Sequence, residues 1–375
     1  MSVSAVILAG GFSSRMAPLF KPLLPLPFAS GTRSALSALC ARYLEMGIHA
    51  VVVGGCRADK VREEALAAGA AFALNPRPEE GMFSSVRAGI ARLPQTCSHF
   101  FVQPADIPLV RKMTLQALLD AGAGKPGAVL LPSYRGRKGH PPLFPACAKQ
   151  VLAEKAWDGG LRRAMADMPC AVIPCADSLM LRDMDTPGDY ADLQKLAPGM
   201  DMLDPEEAME LLEVMRVPVK GRAHARAVGA TAKALALCLP GISAGHALAG
   251  GLVHDLCKGE KDHEAAAGRL FRRWGMERMA RMVESHNDIS LPDDAPFTER
   301  EAVFLADKFV SGSRFTPVQE RYGQKLRAFA GDADACAAIR SRMERALRIL
   351  ERFERESGRS AASVARAALS ALGAE

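Results

Sequence analysis

Short runs of β-branched and other apolar residues alternate with helical patterns over the first half of this chain. The strand-like runs cover residues 3–8, 50–53, 71–74, 99–102, 128–132 and 171–174. The helical patterns between them lie near residues 33–46, 59–68, 83–92, 112–121 and 160–168. Continuous apolar strands joined by helices are typical of a mostly parallel sheet that is buried on both faces. The pattern therefore predicts a doubly wound, Rossmann-like α/β domain, whose ligands bind beyond the carboxyl ends of the strands.

The alternation stops near Ala197-Pro198-Gly199, and the rest of the chain has an almost entirely helical pattern. The helical patterns cover residues 205–216, 222–238, 244–256, 263–274, 276–285, 299–309 and 332–356, and an alanine-rich tail predicts a further capping helix. A proline and glycine break combined with a change of period indicates a domain boundary. We therefore expect an α/β domain over residues 1–197, a linker over 198–205 and an all-α domain over 206–375.

Composition excludes several classes of protein. Lys and Arg number 48 against 42 Asp and Glu, and the two signs alternate, as over residues 340–359. With only 6% aromatic residues to stack on bases, a nucleic-acid partner is not expected. No apolar run approaches the roughly 18 residues that cross a bilayer, and the amino terminus lacks a signal-peptide pattern. The nine cysteines are spaced singly, which predicts neither disulfides nor a cysteine zinc site and favours the reducing cytoplasm.

The first strand-like run ends in a glycine pair that polar and basic residues follow. The residues at this junction are Leu8, Ala9, Gly10, Gly11, Ser13, Arg15 and Lys21. Adjacent glycines let backbone N–H groups approach an anion without obstruction by Cβ atoms, and fixed cations neutralise phosphate oxygens. The spacing matches neither the P-loop nor the Gly-x-Gly-x-x-Gly pattern. We interpret the junction as a triphosphate site, and the alternative is a simple tight turn.

Six ordered blocks resemble the molybdenum-cofactor nucleotidyltransferases, the MobA-like NTP transferase family. The blocks cover residues 8–16, 80–86, 103–109, 139–144, 159–162 and 183–190. The resemblance implies transfer of a nucleotide to molybdopterin with release of pyrophosphate. Gly139-His140-Pro141 resembles the branch that uses CTP, whereas Gly10-Gly11 resembles the branch that uses GTP. We favour CTP, and the alternatives are a guanylyl transferase or a sugar-phosphate nucleotidyltransferase.

The resemblance also assigns roles to residues. It implies catalysis by Arg15, Lys21 and Asp106, with Asp106 and Asp185 as Mg²⁺ ligands. The implied nucleotide-binding residues are Leu8, Ala9, Gly10, Gly11, Ser13, Ser84, Ser85, Pro104 and Ala105. The implied contacts to the pterin or nucleotide are Gly139, His140 and Pro141. Each polar residue also has a structural alternative: Asp106 as a turn residue, Asp185 as a helix N-cap, and the two serines as N-caps.

The helical half contains histidines and aspartates in the order His224, His254-Asp255, Asp307. An adjacent His-Asp pair offers one nitrogen and one oxygen to the same ion. A further His and Asp from flanking helices would complete a mixed N/O site suited to Fe, Mn, Zn or Mg. A single buried histidine is usually a core residue, but four ligand-type residues in this order favour a metal site.

These four residues resemble the metal positions of the HD phosphohydrolase family, over about residues 217–309. His263 and His286 resemble the extra ligands of its two-metal members. Lys258 would neutralise substrate phosphate, and its alternative is a solvated lysine at a helix end. The resemblance implies one or two divalent metals and hydrolysis of a phosphate ester or nucleotide.

The sequence thus predicts a bifunctional cytoplasmic enzyme with CTP (or GTP) and molybdopterin as ligands, and with a molybdoenzyme as a candidate acceptor of the product. A rival hypothesis makes the HD domain a non-catalytic nucleotide sensor or a dimerisation module.

Overall fold

The computed structural model describes residues 2–154, 160–286, 288–289 and 296–373. The chain divides into two compact units, Met1–Met200 and Asp201–Glu375. Gly159, in the fifth block of the family resemblance, lies outside the described residues.

The first unit alternates strands and helices, as the sequence predicts. Its described strands are β1 (Val3–Ala9), β2 (Pro25–Phe28), β3 (Gly31–Ser34), β4 (His49–Gly54), β5 (Ala71–Leu74), β6 (His99–Pro104), β7 (Val129–Tyr134), β8 (Arg137–Lys138), β9 (Leu143–Pro145) and β10 (Cys170–Pro174). Its described helices are α1 (Ala35–Leu44), α2 (Ala58–Ala67), α3 (Met82–Ile90), α4 (Lys112–Gly122), α5 (Ala148–Glu154), α6 (Gly160–Ala166) and α7 (Pro187–Leu196).

The main sheet has the strand order β10-β7-β9-β6-β1-β4-β5, with β8 paired to β7. β1 pairs in parallel with both β4 and β6, and β9 runs antiparallel to β6 and β7. The six predicted strands and the mostly parallel sheet are confirmed. The sequence did not predict β2, β3, β8 and β9. β8 and β9 have only two and three residues, β2 contains two prolines, and β3 has no apolar residue besides glycine.

Burial on both faces of β1 explains its continuous apolar sequence. Ala5, Ile7 and Ala9 pack into one buried cluster, and Val6 and Leu8 pack into another on the opposite face. Because alternate side chains of a strand point to opposite faces, both clusters fix the position of the strand. The loop after Ala9 therefore starts from a rigid point at the carboxyl edge of the sheet.

The first predicted helix begins later than expected. Residues 33 and 34 belong to β3, and Ser34 is the N-cap of α1, where its Oγ accepts a hydrogen bond from the Ser37 N–H at 2.9 Å. A serine before an apolar helical run is an N-cap signal, so the boundary follows from capping chemistry.

The second unit is built from helices in its described residues. They are α8 (Pro205–Val214), α9 (Val219–Ala236), α10 (Ala244–Val253), α11 (His263–Arg273), α12 (Glu277–Glu284), α13 (Glu299–Phe309), α14 (Val318–Ala328), α15 (Ala333–Ser357) and α16 (Ala361–Leu372). The expected helix in the alanine-rich tail is α16. The sequence did not predict α14.

A small hairpin interrupts the helical unit. β11 (Val310–Ser311) pairs antiparallel with β12 (Arg314–Phe315), and Gly312 in the turn has φ of 62°. The predicted all-α class of this region is confirmed, but the sequence did not predict the hairpin, because two-residue strands leave no alternating pattern.

Two glycines bring α9 and α10 into backbone contact. A Cβ atom added at Gly251 would lie 2.7 Å from Cα of Gly229 and 2.9 Å from its nitrogen. Only a residue without a side chain fits at such a crossing. The contact places two helices side by side that each carry a histidine of interest, His224 on α9 and His254 directly after α10.

Within the described part of the chain, every helix is too short or too polar to cross a lipid bilayer. No two of the nine cysteines are bonded to each other.

We predict that Gly251→Ala lowers the free energy of unfolding of the helical unit by about 1–3 kcal/mol, because backbone atoms of α9 cannot yield to the added methyl group. Gly323→Ala is the matched control: its Cβ would meet only a flexible Arg327 side chain at 3.6 Å. Helix propensity predicts unchanged or slightly raised stability for this control. Denaturant unfolding of the full chain, with hydrogen exchange to assign the helices, measures both. Equal stability of the two variants would refute close packing at this crossing.

Candidate functional site

A cavity of about 250 Å³ opens at the carboxyl ends of β1 and β6. Ten predicted site residues line it: Leu8, Ala9, Gly10, Gly11, Ser13, Lys21, Ser85, Pro104, Ala105 and Asp106. The lining also contains five residues that the sequence did not single out: Phe12, Pro22, Pro78, Gly81 and Met82. The strand-end location is where α/β sheets bind ligands, so the structure brings most of the predicted nucleotide-site residues together.

The two glycines have different roles. A Cβ atom at Gly10 would lie 3.0 Å from Ser85 Oγ and 3.3 Å from the Gly55 nitrogen, so close packing requires the first glycine. A Cβ atom at Gly11 would meet nothing within 4 Å. The second glycine therefore leaves open space beside the chain rather than filling it.

Lys21 lies between two carboxylates. Its Nζ is 2.6 Å from Asp185 Oδ1 and 3.5 Å from Asp106 Oδ2, and its side chain is only 12% exposed. Arg15 Nη2 contacts the other oxygen of Asp185 at 2.8 Å. The Lys21 backbone N–H donates to Ser13 Oγ at 3.2 Å, which fixes the loop after the glycine pair.

The two carboxylates differ in acidity. Burial is the main reason that the pKa of Asp106 is raised, and the charge of Asp185 adds to that shift against the opposing effect of Lys21. The hydrogen bond from Lys21 is the main reason that the pKa of Asp185 is lowered. Two carboxylates that converge on one cationic group offer the hard oxygen donors that Mg²⁺ prefers, so these residues fit a magnesium ion.

Asp185 is not the N-cap of the following helix. Thr186 caps α7, and its side chain accepts from the Asp189 N–H. The N-cap alternative for Asp185 is therefore wrong. It is also wrong for Ser84 and Ser85, which lie inside α3, whose N-cap is Gly81.

Asn75 organises the two serines, and it was not predicted as a site residue. Its Nδ2 donates to Ser84 Oγ at 2.7 Å and to Ser85 Oγ at 2.9 Å, and the residue is buried. Ser84 Oγ lies 2.7 Å from the Gly81 carbonyl oxygen and 3.0 Å from that of Arg77, either of which can accept its single hydroxyl proton, and this serine does not line the cavity. A polar residue directly after the strand at residues 71–74 was the available signal.

The predicted contacts Gly139, His140 and Pro141 lie outside the lining of this cavity. The His140 backbone N–H donates to the Met180 carbonyl at 3.2 Å, and its buried Nδ1 has no partner among the described residues. Burial lowers the pKa of His140, which favours a neutral imidazole.

In the helical unit, all six predicted metal ligands lie in one cluster. His224 Nε2 is 3.5 Å from Asp307 Oδ1, and His254 Nε2 is 3.7 Å from the same oxygen. Three groups of ligand atoms that could hold an ion are His224, His254 and Asp307; His254, Asp255 and His286; and His263, Glu264 and His286. Glu264 is an addition to the predicted set.

Asp255 joins the two halves of this cluster. Its Oδ2 is 3.7 Å from His224 Nε2 and 3.6 Å from His254 Nε2. Its Oδ1 is 3.3 Å from His263 Nε2 and 3.5 Å from His286 Nε2. The two oxygens of one carboxylate thus face two different pairs of imidazoles, an arrangement that suits two neighbouring ions.

Backbone carbonyls orient three of the imidazoles. The Nδ1 atoms of His224, His254 and His286 lie 2.7, 2.7 and 2.5 Å from the carbonyl oxygens of Gly312, Gly251 and Val283. A proton on Nδ1 leaves the Nε2 lone pair free, which is how a carbonyl partner prepares a histidine ligand.

The surroundings of His254 indicate most directly whether this cluster fits a metal ion. Its Nε2 is buried and has no hydrogen-bond partner among the described residues. Burial lowers the pKa of His254 to about 4, so the ring is neutral at physiological pH. A neutral, buried and unpartnered nitrogen beside carboxylate oxygens fits a divalent metal, since buried polar atoms are otherwise paired.

Cations surround the two aspartates of the cluster. Lys308 Nζ is 2.9 Å from Asp307 Oδ2, and Lys258 Nζ is 2.5 Å from Asp255 Oδ2. Although burial opposes ionisation, Lys308 and then His224 hold the pKa of Asp307 well below its usual value. Lys308 was missed as a site residue, because a lysine next to an aspartate has no distinctive spacing.

The cluster faces a second, larger cavity of about 1080 Å³, which His224, Asp255, His263, His286 and Asp307 help to line. Lys258 also lines it, as the predicted phosphate contact requires. A small molecule can therefore reach these side chains.

Comparisons with known proteins found a family model that matches residues 5–172 and solved structures that cover about half of the chain. No curated protein matches the chain in sequence. The fold is similar to that of Rv0371c from Mycobacterium tuberculosis H37Rv, with 24% identity over 52% of this chain and 98% of that one and a TM-score of 0.46. A nucleotidyl transferase from Methanothermobacter is also similar, with 20% identity and a TM-score of 0.45. The match covers 52% of this chain and 96% of that one. A third similar structure is molybdopterin-guanine dinucleotide biosynthesis protein A from Archaeoglobus fulgidus, with 16% identity and a TM-score of 0.39. The match covers 52% of this chain and 97% of that one.

The family match is more specific than these structural likenesses. Residues 5–172 match the MobA-like NTP transferase domain, and the match includes the glycine pair, Lys21 and Asp106. The helical unit lies outside it. Residues 5–172 of this chain are therefore a MobA-like NTP transferase domain.

Proposed function

We propose that the first unit transfers CMP from CTP to molybdopterin, the organic part of the molybdenum cofactor, and releases pyrophosphate. The observation that carries this proposal is the convergence of the glycine pair, Lys21 and Asp106 on one cavity within the family-matched residues. Support for CTP comes from Gly139-His140-Pro141, which resembles the cytidylyl branch. Gly10-Gly11 resembles the guanylyl branch, so GTP is the second candidate, and a sugar phosphate is the second candidate acceptor.

The proposed reaction is a phosphoryl substitution. A terminal phosphate oxygen of the pterin forms a bond to the α-phosphorus of the nucleotide, and the bond from that phosphorus to the α–β bridging oxygen breaks. Pyrophosphate leaves with the electron pair of the broken bond. Because no covalent enzyme intermediate is needed, the chain contributes positioning and charge neutralisation.

Each site residue has a place in this scheme. The open space at Gly11 admits phosphate oxygens close to the backbone, and Lys21 and Arg15 neutralise their charge. Asp106 and Asp185 would hold Mg²⁺, which when bound supplies further neutralisation of the phosphates. Ser85 and Asn75 form a rigid polar wall of the cavity.

For the helical unit we propose a metal-dependent hydrolysis of a phosphate ester or nucleotide. The observation that carries this second proposal is the single Asp255 carboxylate that faces two imidazole pairs, beside the unpartnered Nε2 of His254. Two neighbouring divalent ions in such a site supply Lewis-acid activation of a phosphate. Fe, Mn, Zn and Mg all suit the mixed N/O donors.

In this hydrolysis a water oxygen forms a bond to phosphorus and the ester P–O bond breaks. One proton of the water leaves to solvent, and the alcohol departs with a proton. Lys258, 65% exposed at the cavity, neutralises the substrate phosphate. The rival hypothesis is a nucleotide sensor or dimerisation module without catalysis, which predicts metal binding without turnover.

We predict that Asp106→Asn abolishes nucleotidyl transfer, because this carboxylate would hold the Mg²⁺ that neutralises the phosphates. Lys21→Ala should slow transfer by about 100-fold or more, because it removes a positive charge that stabilises the transferring phosphates. Asp192→Asn is the matched control, since Asp192 pairs with Lys195 on an exposed helix face. Mass spectrometry of the pterin product after incubation with CTP or GTP measures transfer and identifies the nucleotide. Normal turnover in the Asp106 variant would contradict the assigned role. If the pterin product forms in the incubation with GTP and not in the one with CTP, the reaction is guanylyl transfer.

Metal content should depend on the clustered histidines. In full chains purified with added Mn²⁺, His254→Ala and His263→Ala should each lose bound metal, whereas His246→Ala should retain it. His246 lies in the same unit outside the cluster, and His263 is partly exposed, so its variant tests the assignment without a buried cavity. Elemental analysis measures metal per chain. Equal content in all three variants would overturn the ligand assignment.

Hydrolysis should depend on the same cluster. We expect p-nitrophenyl phosphate to be cleaved by the metal-loaded chain, and Asp255→Asn or chelation to reduce the rate by at least 100-fold, because Asp255 serves both imidazole pairs. The Asp106→Asn variant is the control with an intact helical unit. Absence of cleavage of any phosphate ester by chains with full metal content would favour the sensor or module hypothesis.

A further inference from the structure

The large cavity of the helical unit is lined by more cationic side chains than are needed to pair with its carboxylates. Its lining contains five cationic side chains and two carboxylates. These are Arg216, Lys220, Lys258, Arg321 and Lys325, with Asp255 and Asp307. Lys258 contacts Asp255, and Arg321 Nη2 lies 3.4 Å from Asp307 Oδ1, so both carboxylates are already paired. The remaining cations face the cavity without an acidic counterpart in its lining.

Lys220 and Lys325 are the two lysines in this position. Neither forms an ion pair with a carboxylate of the described residues. Lys220 precedes the candidate ligand His224 by four residues on α9, and Lys325 follows Arg321 by four residues on α14. Residues four apart share one face of a helix, so Lys220 lies about one turn, roughly 6 Å, along α9 from the candidate ligand His224. Lys325 lies about one turn along α14 from Arg321, which itself contacts Asp307 of the cluster.

We propose that Lys220 and Lys325 form a second anion subsite beside the metal cluster, so that the helical unit binds substrates whose reacting phosphate is linked to at least one further phosphate. The inference rests on the phosphohydrolase function proposed above and names its substrate class. The reacting phosphate lies at the histidines and Lys258, and the linked phosphate lies between the two lysines.

The electrostatics of α14 agree with an anion at this position. Partial burial lowers the pKa of Lys325, and the positive charges of Lys308 and Arg321 lower it further. A bound phosphate would offset the repulsion among these cations. Ion pairs of lysine with phosphate are charge-assisted hydrogen bonds, which are stronger than neutral ones.

Linked phosphates have two sources, an inorganic polyphosphate or a nucleoside polyphosphate. Met215 and Phe329 are 42% and 52% exposed and line the same cavity. Apolar side chains that stay exposed inside a cavity favour an organic group on the ligand. The cavity volume of about 1080 Å³ leaves room for one.

The test compares binding of inorganic tripolyphosphate and orthophosphate to the full chain by calorimetry in Mg²⁺ buffer. Lys220→Gln and Lys325→Gln should each weaken tripolyphosphate binding at the helical unit by about tenfold or more, while orthophosphate binding changes by less than about threefold. Arg226→Gln on α9 and Arg327→Gln on α14 are the matched controls, since neither residue lines the cavity. Any binding of tripolyphosphate at the first unit is common to all four variants and cancels in the comparison.

Kinetics give a second readout. The ratio of kcat/KM for ATP to kcat/KM for p-nitrophenyl phosphate should fall about tenfold in the two lysine variants, through a higher KM. If the ligand is a nucleoside polyphosphate, Phe329→Ala should weaken binding of ATP without affecting binding of tripolyphosphate. If the ligand is an inorganic polyphosphate, this variant should bind both as the unmodified chain does. Equal losses for tripolyphosphate and orthophosphate, or none, would overturn the subsite. Lysine-dependent tripolyphosphate binding without hydrolysis of any ester would refute the hydrolase function and leave the subsite supported.

Discussion

Each unit depends on a lysine placed against carboxylates. In the first unit Lys21 contacts Asp106 and Asp185, and in the second Lys308 contacts the buried Asp307. A buried charge without a partner destabilises a protein by several kcal/mol, so the contact of Lys308 with Asp307 stabilises the fold as well as forming part of a site. The scaffolds differ, a sheet edge in one unit and a helix cluster in the other, yet each concentrates oxygen donors where polyvalent cations bind.

Sequence periodicity predicted the first unit well, because strands buried on both faces are continuous apolar runs. β9 shows the limit of that signal: Leu143–Pro145 is a three-residue strand whose antiparallel position follows only from its neighbours β6 and β7. The β11–β12 hairpin was missed for the same reason. The predicted helix starts at residues 205 and 299 are accurate, and Asp204 and Thr298 cap those helices. The helix capped by Ser34 begins two residues later than predicted, because residues 33 and 34 belong to β3.

The site residues were predictable where chemistry leaves a pattern in the chain. The order of His224, His254-Asp255 and Asp307 identified a cluster whose imidazole nitrogens and carboxylate oxygens the fold then brings within 3.5–3.7 Å of each other. Asn75 and Lys308 were not predicted, because their roles come from contacts that the fold creates. Asn75 Nδ2 donates to Ser84 Oγ, and Lys308 Nζ donates to the carbonyl of His286. The glycine contact between α9 and α10 was likewise not predicted, since a sequence does not show which glycines of two separate helices lie against each other.

The pairing of Lys21 with two aspartates has a consequence for selectivity. An ammonium group that is already neutralised offers little attraction to chloride, free phosphate or a bare nucleotide. If the first unit is the transferase proposed above, a nucleotide that arrives with its own divalent counter-ion would satisfy both aspartates and release the lysine toward its phosphates. The proposed site would then favour a ligand that carries both signs of charge.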